Sequence, residues 1–134
     1  MQIRKFRILM LGAVSLAVLL AWALPAMAAV KGATVSVTAG KPTEFKFTVA
    51  AKSVAHGAVT FKVKNGGALP HDFKVCSSPK GGTATSCAGA VTKMITPGSS
   101  TTLKVTFKTA GTYEYLCTVP GHAAAGMKGL LKVT

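Results

Sequence analysis

The sequence predicts an all-β domain in which two sheets of short strands pack face to face as a sandwich or flattened barrel. Three observations carry that prediction. Apolar and polar residues alternate over short segments, turn residues recur at short intervals, and no stretch beyond residue 28 repeats its apolar positions at helical spacing. Eight such strands, each with one apolar face, are best buried by stacking one sheet on another.

Thr34 to Val37 opens the series, with Val35 and Val37 on one face, and Gly40-Lys41-Pro42 turns the chain. Phe45, Phe47 and Val49 alternate next. Val59, Phe61 and Val63 repeat the period in the segment Gly57 to Asn65, which Asn65-Gly66-Gly67 ends. Phe73 and Val75 form a short strand after His71. The turn-rich stretch from Ser77 to Ser86 has room for a turn of helix, although none is predicted there. Met94 and Ile95 lie in a short segment before Pro97-Gly98, and Leu103, Val105 and Phe107 alternate again. After the turn at Ala110-Gly111, Tyr113, Tyr115 and Cys117 share one face of a strand, and Leu130 to Val133 closes the chain. No repeat, low-complexity tract or linker divides it.

Residues 1–28 read as a signal peptide, leaving 29–134 as the domain. Arg4, Lys5 and Arg7 give a positive start, Ile8 to Leu24 form an apolar run, and Ala26-Met27-Ala28 follows the helix-breaking Pro25 with a small-x-small cleavage pattern. Retention of the run as a membrane anchor is the alternative, since it falls just short of the ~20 residues a spanning helix needs. The expected location is therefore periplasmic or extracellular. No cysteine near the cleavage point offers a lipid attachment site.

Removing Arg4, Lys5 and Arg7 lowers the formal charge from +13 to +10, carried entirely by lysines against Glu44, Asp72 and Glu114. This balance favours acidic protein partners or an anionic membrane surface. Nucleic acid is not expected, because the lysines are spaced singly, the domain has no arginine and the chain is exported. In an oxidising compartment three cysteines divide into one bridge and one remainder. Cys76 and Cys87 bracket the turn-rich loop, and a bridge there contributes about 3 kcal/mol in the chain-entropy treatment. Cys117 is left over.

The chemistry concentrates in Cys117-Thr-Val-Pro-Gly-His122-Ala-Ala-Ala-Gly-Met127, where a thiol, an imidazole and a thioether follow one another along a Pro/Gly-bearing loop between strands. Each residue alone has an ordinary reading: Cys117 as a small buried hydrophobe, His122 as a surface side chain, Met127 as core packing. In one loop of an exported protein those readings require three coincidences. Thiolate and imidazole suit a soft or borderline metal, and a His2Cys set with a weak axial Met marks an electron-transfer copper site. The second histidine is His56 or His71. His71 is chosen, because Pro70-His71-Asp72-Phe73 begins a strand just after the flexible segment from Asn65 to Leu69, whereas His56 lies in a polar turn.

With these residues in view, the chain resembles the cupredoxins, the small type 1 blue copper proteins. Asn65 to Phe73 looks like their first ligand loop and Tyr115 to Met127 like their second, in matching strand order. The resemblance implies an eight-stranded Greek-key sandwich holding one type 1 copper near one end, through His71, Cys117, His122 and Met127. It departs at Asp72, where many members carry Asn; an ionised Asp accepts hydrogen bonds but donates none.

The implied activity is single-electron transport by Cu(I)/Cu(II) cycling, by a monomer. Docking to redox partners is expected through an apolar patch of Ala123, Ala124 and Ala125 around His122, completed by Gly66, Gly67, Leu69 and Pro70. The alternative is a copper carrier or chaperone, a plain adhesion sandwich being a third reading. No enzyme is expected: three histidines are too few for the additional copper centres of oxidases built on this fold, and Asp72 with Glu114 makes a weak carboxylate pair.

Overall fold

The computed structural model describes residues 32–79 and 84–134. The leader expected over residues 1–28 and part of the cysteine-bracketed loop lie outside the described residues. The described chain forms nine strands: β1 (Ala33–Ala39), β2 (Phe47–Val49), β3 (Ser53–Val54), β4 (Gly57–Asn65), β5 (Lys74–Cys76), β6 (Gly89–Val91), β7 (Ser100–Phe107), β8 (Gly111–Leu116) and β9 (Lys128–Val133). They make a four-stranded sheet, β2-β1-β4-β7, and a five-stranded sheet, β3-β9-β8-β5-β6. Both sheets are mixed, since β1 runs parallel to β4 and β3 parallel to β9 while the other pairs are antiparallel.

Alternation sets which face is buried. Along β4, Val59, Phe61 and Val63 point inward and Lys62 and Lys64 outward, so a one-residue slip against β1 or β7 would expose the whole apolar set. The core between the sheets unites Val35, Val37, Val59, Phe61, Val63, Leu103 and Phe107 with Val54, Phe73, Val75, Tyr113, Leu131 and Val133. Phe73 lies at its aromatic centre, with ring centroids 5.2 Å from Phe47, 5.4 Å from Phe61 and 5.5 Å from Tyr115. Such edge-to-face and tilted pairs add to the burial of the rings themselves.

The eight expected strands become nine through three local differences. β3 is a two-residue pairing of Ser53 and Val54 with the end of β9, too short to show a period. β6 is exposed at every position and pairs only with β5, so it carries no apolar alternation to read. The Cys76–Cys87 bridge, two residues before β6, holds this edge strand against β5. Ile95 forms an isolated bridge to His71 instead of a strand, and Met94 beside it is 55% exposed.

Asn65 ends β4 as expected, and it is also a buried hub for the loop that follows. Its Nδ2 donates to the carbonyls of Leu69 and Ile95, both at 2.8 Å, and its Oδ1 accepts from Gly67 N–H at 2.9 Å. Every polar atom of this fully buried side chain is thereby satisfied. Asn65→Ala strips three backbone groups of their partner. It is expected to lower unfolding free energy by about 2–3 kcal/mol, measured by urea denaturation of the metal-free protein.

Candidate metal centre

Two loops at one end of the sandwich bring the chemistry together. The first follows β4 and is pinned by Asn65 as far as Leu69. His71 is then locked to Ile95 by reciprocal backbone bonds, His71 N–H to Ile95 O at 3.1 Å and Ile95 N–H to His71 O at 2.7 Å. Its imidazole is fully buried. The second loop joins β8 to β9 and is closed at its neck by Cys117 N–H donating to Met127 O at 3.0 Å. Inside that neck Met127 N–H donates to His122 O, His122 N–H to Val119 O and Ala125 N–H to Gly121 O, winding the loop into consecutive turns.

Asp72 and Thr118 join the two loops. Thr118 N–H donates to Asp72 Oδ1 at 2.6 Å, and the Thr118 hydroxyl donates to Oδ2. Asp72 thus acts purely as an acceptor, with Thr118 supplying both donors, and this resolves the departure noted at that position. Because Asp72 follows His71 and Thr118 follows Cys117, the link sets the spacing of those two side chains.

The side chains converge at one point. His71 Nδ1 lies 3.2 Å from His122 Nδ1 and 4.0 Å from Cys117 Sγ, and His122 Nδ1 lies 3.6 Å from that sulfur. Among the described residues, this is the group of three donors whose ligand atoms all fall within 4.8 Å of one another. A point equidistant from the three atoms lies about 2.1 Å from each, close to the length of a metal–imidazole bond (zinc–nitrogen ~2.0–2.1 Å). The donor set therefore fits one soft or borderline metal ion without rearrangement. Met127 is fully buried and packs with Cys117 and Ala39 beneath Phe45, Phe47 and Val119. His56, the histidine set aside from sequence, is exposed and bonds through Nδ1 to the carbonyl of Thr134 at 3.1 Å.

Burial governs the protonation of this end. It pushes the Cys117 thiol up to about 11, so without a metal the sulfur is a neutral thiol at neutral pH. Burial, and then the neighbouring His71, lower the pKa of His122, which keeps that imidazole neutral and able to bind. His122 is 8% exposed, and the edge-on ring of Phe45 stands at a centroid distance of 5.0 Å. Ala124, Ala125, Leu69 and Pro70 of the expected patch are exposed and Gly66 and Gly67 half-buried, whereas Ala123 is buried and packs with Cys76 and Leu116 instead of facing outward.

Sequence reasoning missed Glu44 at this end, as it missed the Thr118 partner of Asp72. Glu44, in the turn between β1 and β2, places Oε1 2.7 Å from His71 Nε2. The same carboxylate accepts from the backbone N–H groups of Ala68 and Leu69, bonds that with His71 bring it down to about 2. Its scarcity was the available signal, since the chain has only three acidic residues. An imidazole that donates Nε2–H to a carboxylate presents Nδ1 as a lone pair, the atom that faces Cys117 and His122.

Comparison with known proteins agrees with this geometry. A family model described as copper binding proteins, plastocyanin/azurin family, matches residues 33–134. Auracyanin-B of Chloroflexus aurantiacus is 55% identical over 47 residues, covering 34% of this chain and 19% of that protein, so the match spans under a fifth of the curated relative. Among solved structures, sodium-dithionite-reduced auracyanin from the photosynthetic bacterium Roseiflexus castenholzii superposes with a TM-score of 0.58 at 26% identity, over 77% of this chain and 99% of that one. Rusticyanin from Thiobacillus ferrooxidans gives a TM-score of 0.60 at 27% identity, over 75% and 76% of the two chains. With a family match running from the first strand to the last residue, the chain belongs to the copper-binding plastocyanin/azurin family, the cupredoxins.

Proposed function

We propose that the chain is an exported electron carrier that holds one copper ion through His71 Nδ1, Cys117 Sγ and His122 Nδ1, with Met127 as a weak fourth ligand. The observation that carries this reading is the convergence of three buried donors of the right chemistry on one point. Bound copper supplies a one-electron Cu(I)/Cu(II) couple. The remaining work belongs to the protein: the Asp72–Thr118 link and the His71–Ile95 bridge hold the donors in one arrangement, so little moves as charge changes. Burial of Cys117 and Met127 keeps water from the sulfur atoms.

The exit for the electron is the His122 edge within the patch of Ala124, Ala125, Leu69 and Pro70. Brief redox encounters use small interfaces, and surface charge accelerates them. The surface suits an acidic partner, because all three side-chain carboxylates turn inward: Glu44 to His71, Asp72 to Thr118, and Glu114 at 2% exposure. Lys62, Lys64 and Lys104 stand outward on the four-stranded sheet, and their cross-strand partners among the described residues are serines and threonines, not carboxylates. Delivery of copper to another protein, the rival reading, calls for open and exchangeable ligands, whereas these are enclosed. Residues 1–28 act in this reading as the export leader, with 29–134 as the functional domain.

Three outcomes are expected. Repeated chemical reduction and reoxidation in the presence of a copper chelator leaves the metal bound to the carrier, whereas progressive loss to the chelator supports delivery. Copper(II) affinity, measured by competition, falls about tenfold per unit as pH drops from 9 to 7, because the thiol pushed up to about 11 must release a proton to bind. Ala124→Glu slows electron exchange with an acidic redox partner while leaving the copper absorption spectrum unchanged, and unaltered rates in stopped-flow mixing would remove the proposed exit.

A further inference from the structure

We propose that Glu44 is a positioning residue for the copper site: it fixes His71 with Nδ1 toward the metal, and its negative charge sets a lower reduction potential than a neutral acceptor would. The inference rests on the copper reading above and concerns a residue outside the four proposed ligands.

Three observations carry it. The first is the contact itself, a carboxylate oxygen 2.7 Å from Nε2 of a histidine with no exposed surface. The second is the number of donors gathered on that carboxylate. Leu69 N–H approaches Oε1 at 3.0 Å and Ala68 N–H approaches Oε2 at 2.9 Å, so three N–H groups from one ligand loop converge on a single side chain. Such an arrangement is a receptor for a full negative charge, because an amide in its place would turn an N–H toward one of those donors.

The third is the space made for it. A Cβ on Gly67 would run into the Glu44 carboxylate and lie 3.0 Å from His71 Nε2. A Cβ on Gly40 would lie 2.5 Å from Gly67 Cα and 3.3 Å from the same imidazole nitrogen, and Gly40 also has φ +74°. Two glycines from separate loops thus leave the room through which Glu44 reaches the ring.

The electronic consequence follows from the direction of the bond. A ring that gives its Nε2–H to a carboxylate carries more electron density at Nδ1 and is a stronger donor to the more highly charged metal state. His122 differs, since its ring is 8% exposed and meets the edge of the Phe45 ring at a centroid distance of 5.0 Å. His71 is then the charge-tuned interior ligand and His122 the exit.

The test compares the copper-loaded full chain with Glu44→Gln and Gly67→Ala by redox titration. The first variant removes the charge, and the second keeps it in the chain but drives it off the imidazole. Each is expected to weaken copper(II) binding about tenfold relative to copper(I), which for a one-electron couple is an upward shift of ~59 mV. An unmoved potential in both variants, even with a lowered melting temperature, overturns the proposal, because it leaves Glu44 a loop brace only. Failure of the copper reading shows separately, as a wild-type protein with no thiolate-to-copper absorption. In that event nitrogen NMR of the metal-free chain still decides the positioning: His71 protonated at Nε2 supports it, and His71 protonated at Nδ1 overturns it.

Discussion

Thr118 donates two hydrogen bonds to Asp72, and the metal-binding end of the molecule depends on that junction. Asp72 stands between His71, whose ring enters the donor cluster, and Phe73, whose ring is the centre of the aromatic core. Thr118 directly follows Cys117, just past the end of β8 at Leu116. One carboxylate therefore couples both loops to each other and to the packed interior. Ordering the same side chains on loops free to move would cost the conformational entropy that the sandwich has already removed. The fold functions here as a rigid mount, and its loops carry the chemistry.

The charge distribution follows the same division. In a strongly basic chain the few carboxylates are kept for interior tasks, Asp72 at the junction and Glu44 at the imidazole, while lysines populate the outward positions of β4 and β7. Glu114 is buried on β8, and burial raises its pKa above the usual carboxylate range. Negative charge near the donors favours a cationic guest, and positive charge outside favours an anionic visitor.

Much of this was legible in the sequence, for identifiable reasons. β4 could be bounded at Gly57 and Asn65 because Val59, Phe61 and Val63 repeat with period two between turn residues. Cys117, His122 and Met127 share one loop, so their meeting is a local matter that spacing reveals. The Cys76–Cys87 bridge followed from counting cysteines. What escaped was non-local or unpatterned. Glu44 meets His71 across 27 positions from a segment that reads as a turn. Asn65 ends a strand and yet serves as a hub through Ile95, 30 positions away. β6 has no buried position to give it a period, and Ile95 pairs with His71 in a single bridge too short to register as one. Asp72 could be recognised as unusual, but its partner Thr118 lies 46 positions on, and only the folded chain brings the two together.

The central claim is that the buried thiol, two imidazoles and thioether hold one copper ion in a trigonal thiolate site. It is tested most directly by adding one equivalent of copper(II) to the purified metal-free protein and recording visible absorption with electron paramagnetic resonance. The account predicts an intense thiolate-to-copper band with narrow copper hyperfine splitting, appearing at one ion per chain and absent in Cys117→Ser. A nearly colourless tetragonal copper signal in the wild-type protein, or a spectrum unchanged by Cys117→Ser, would contradict it.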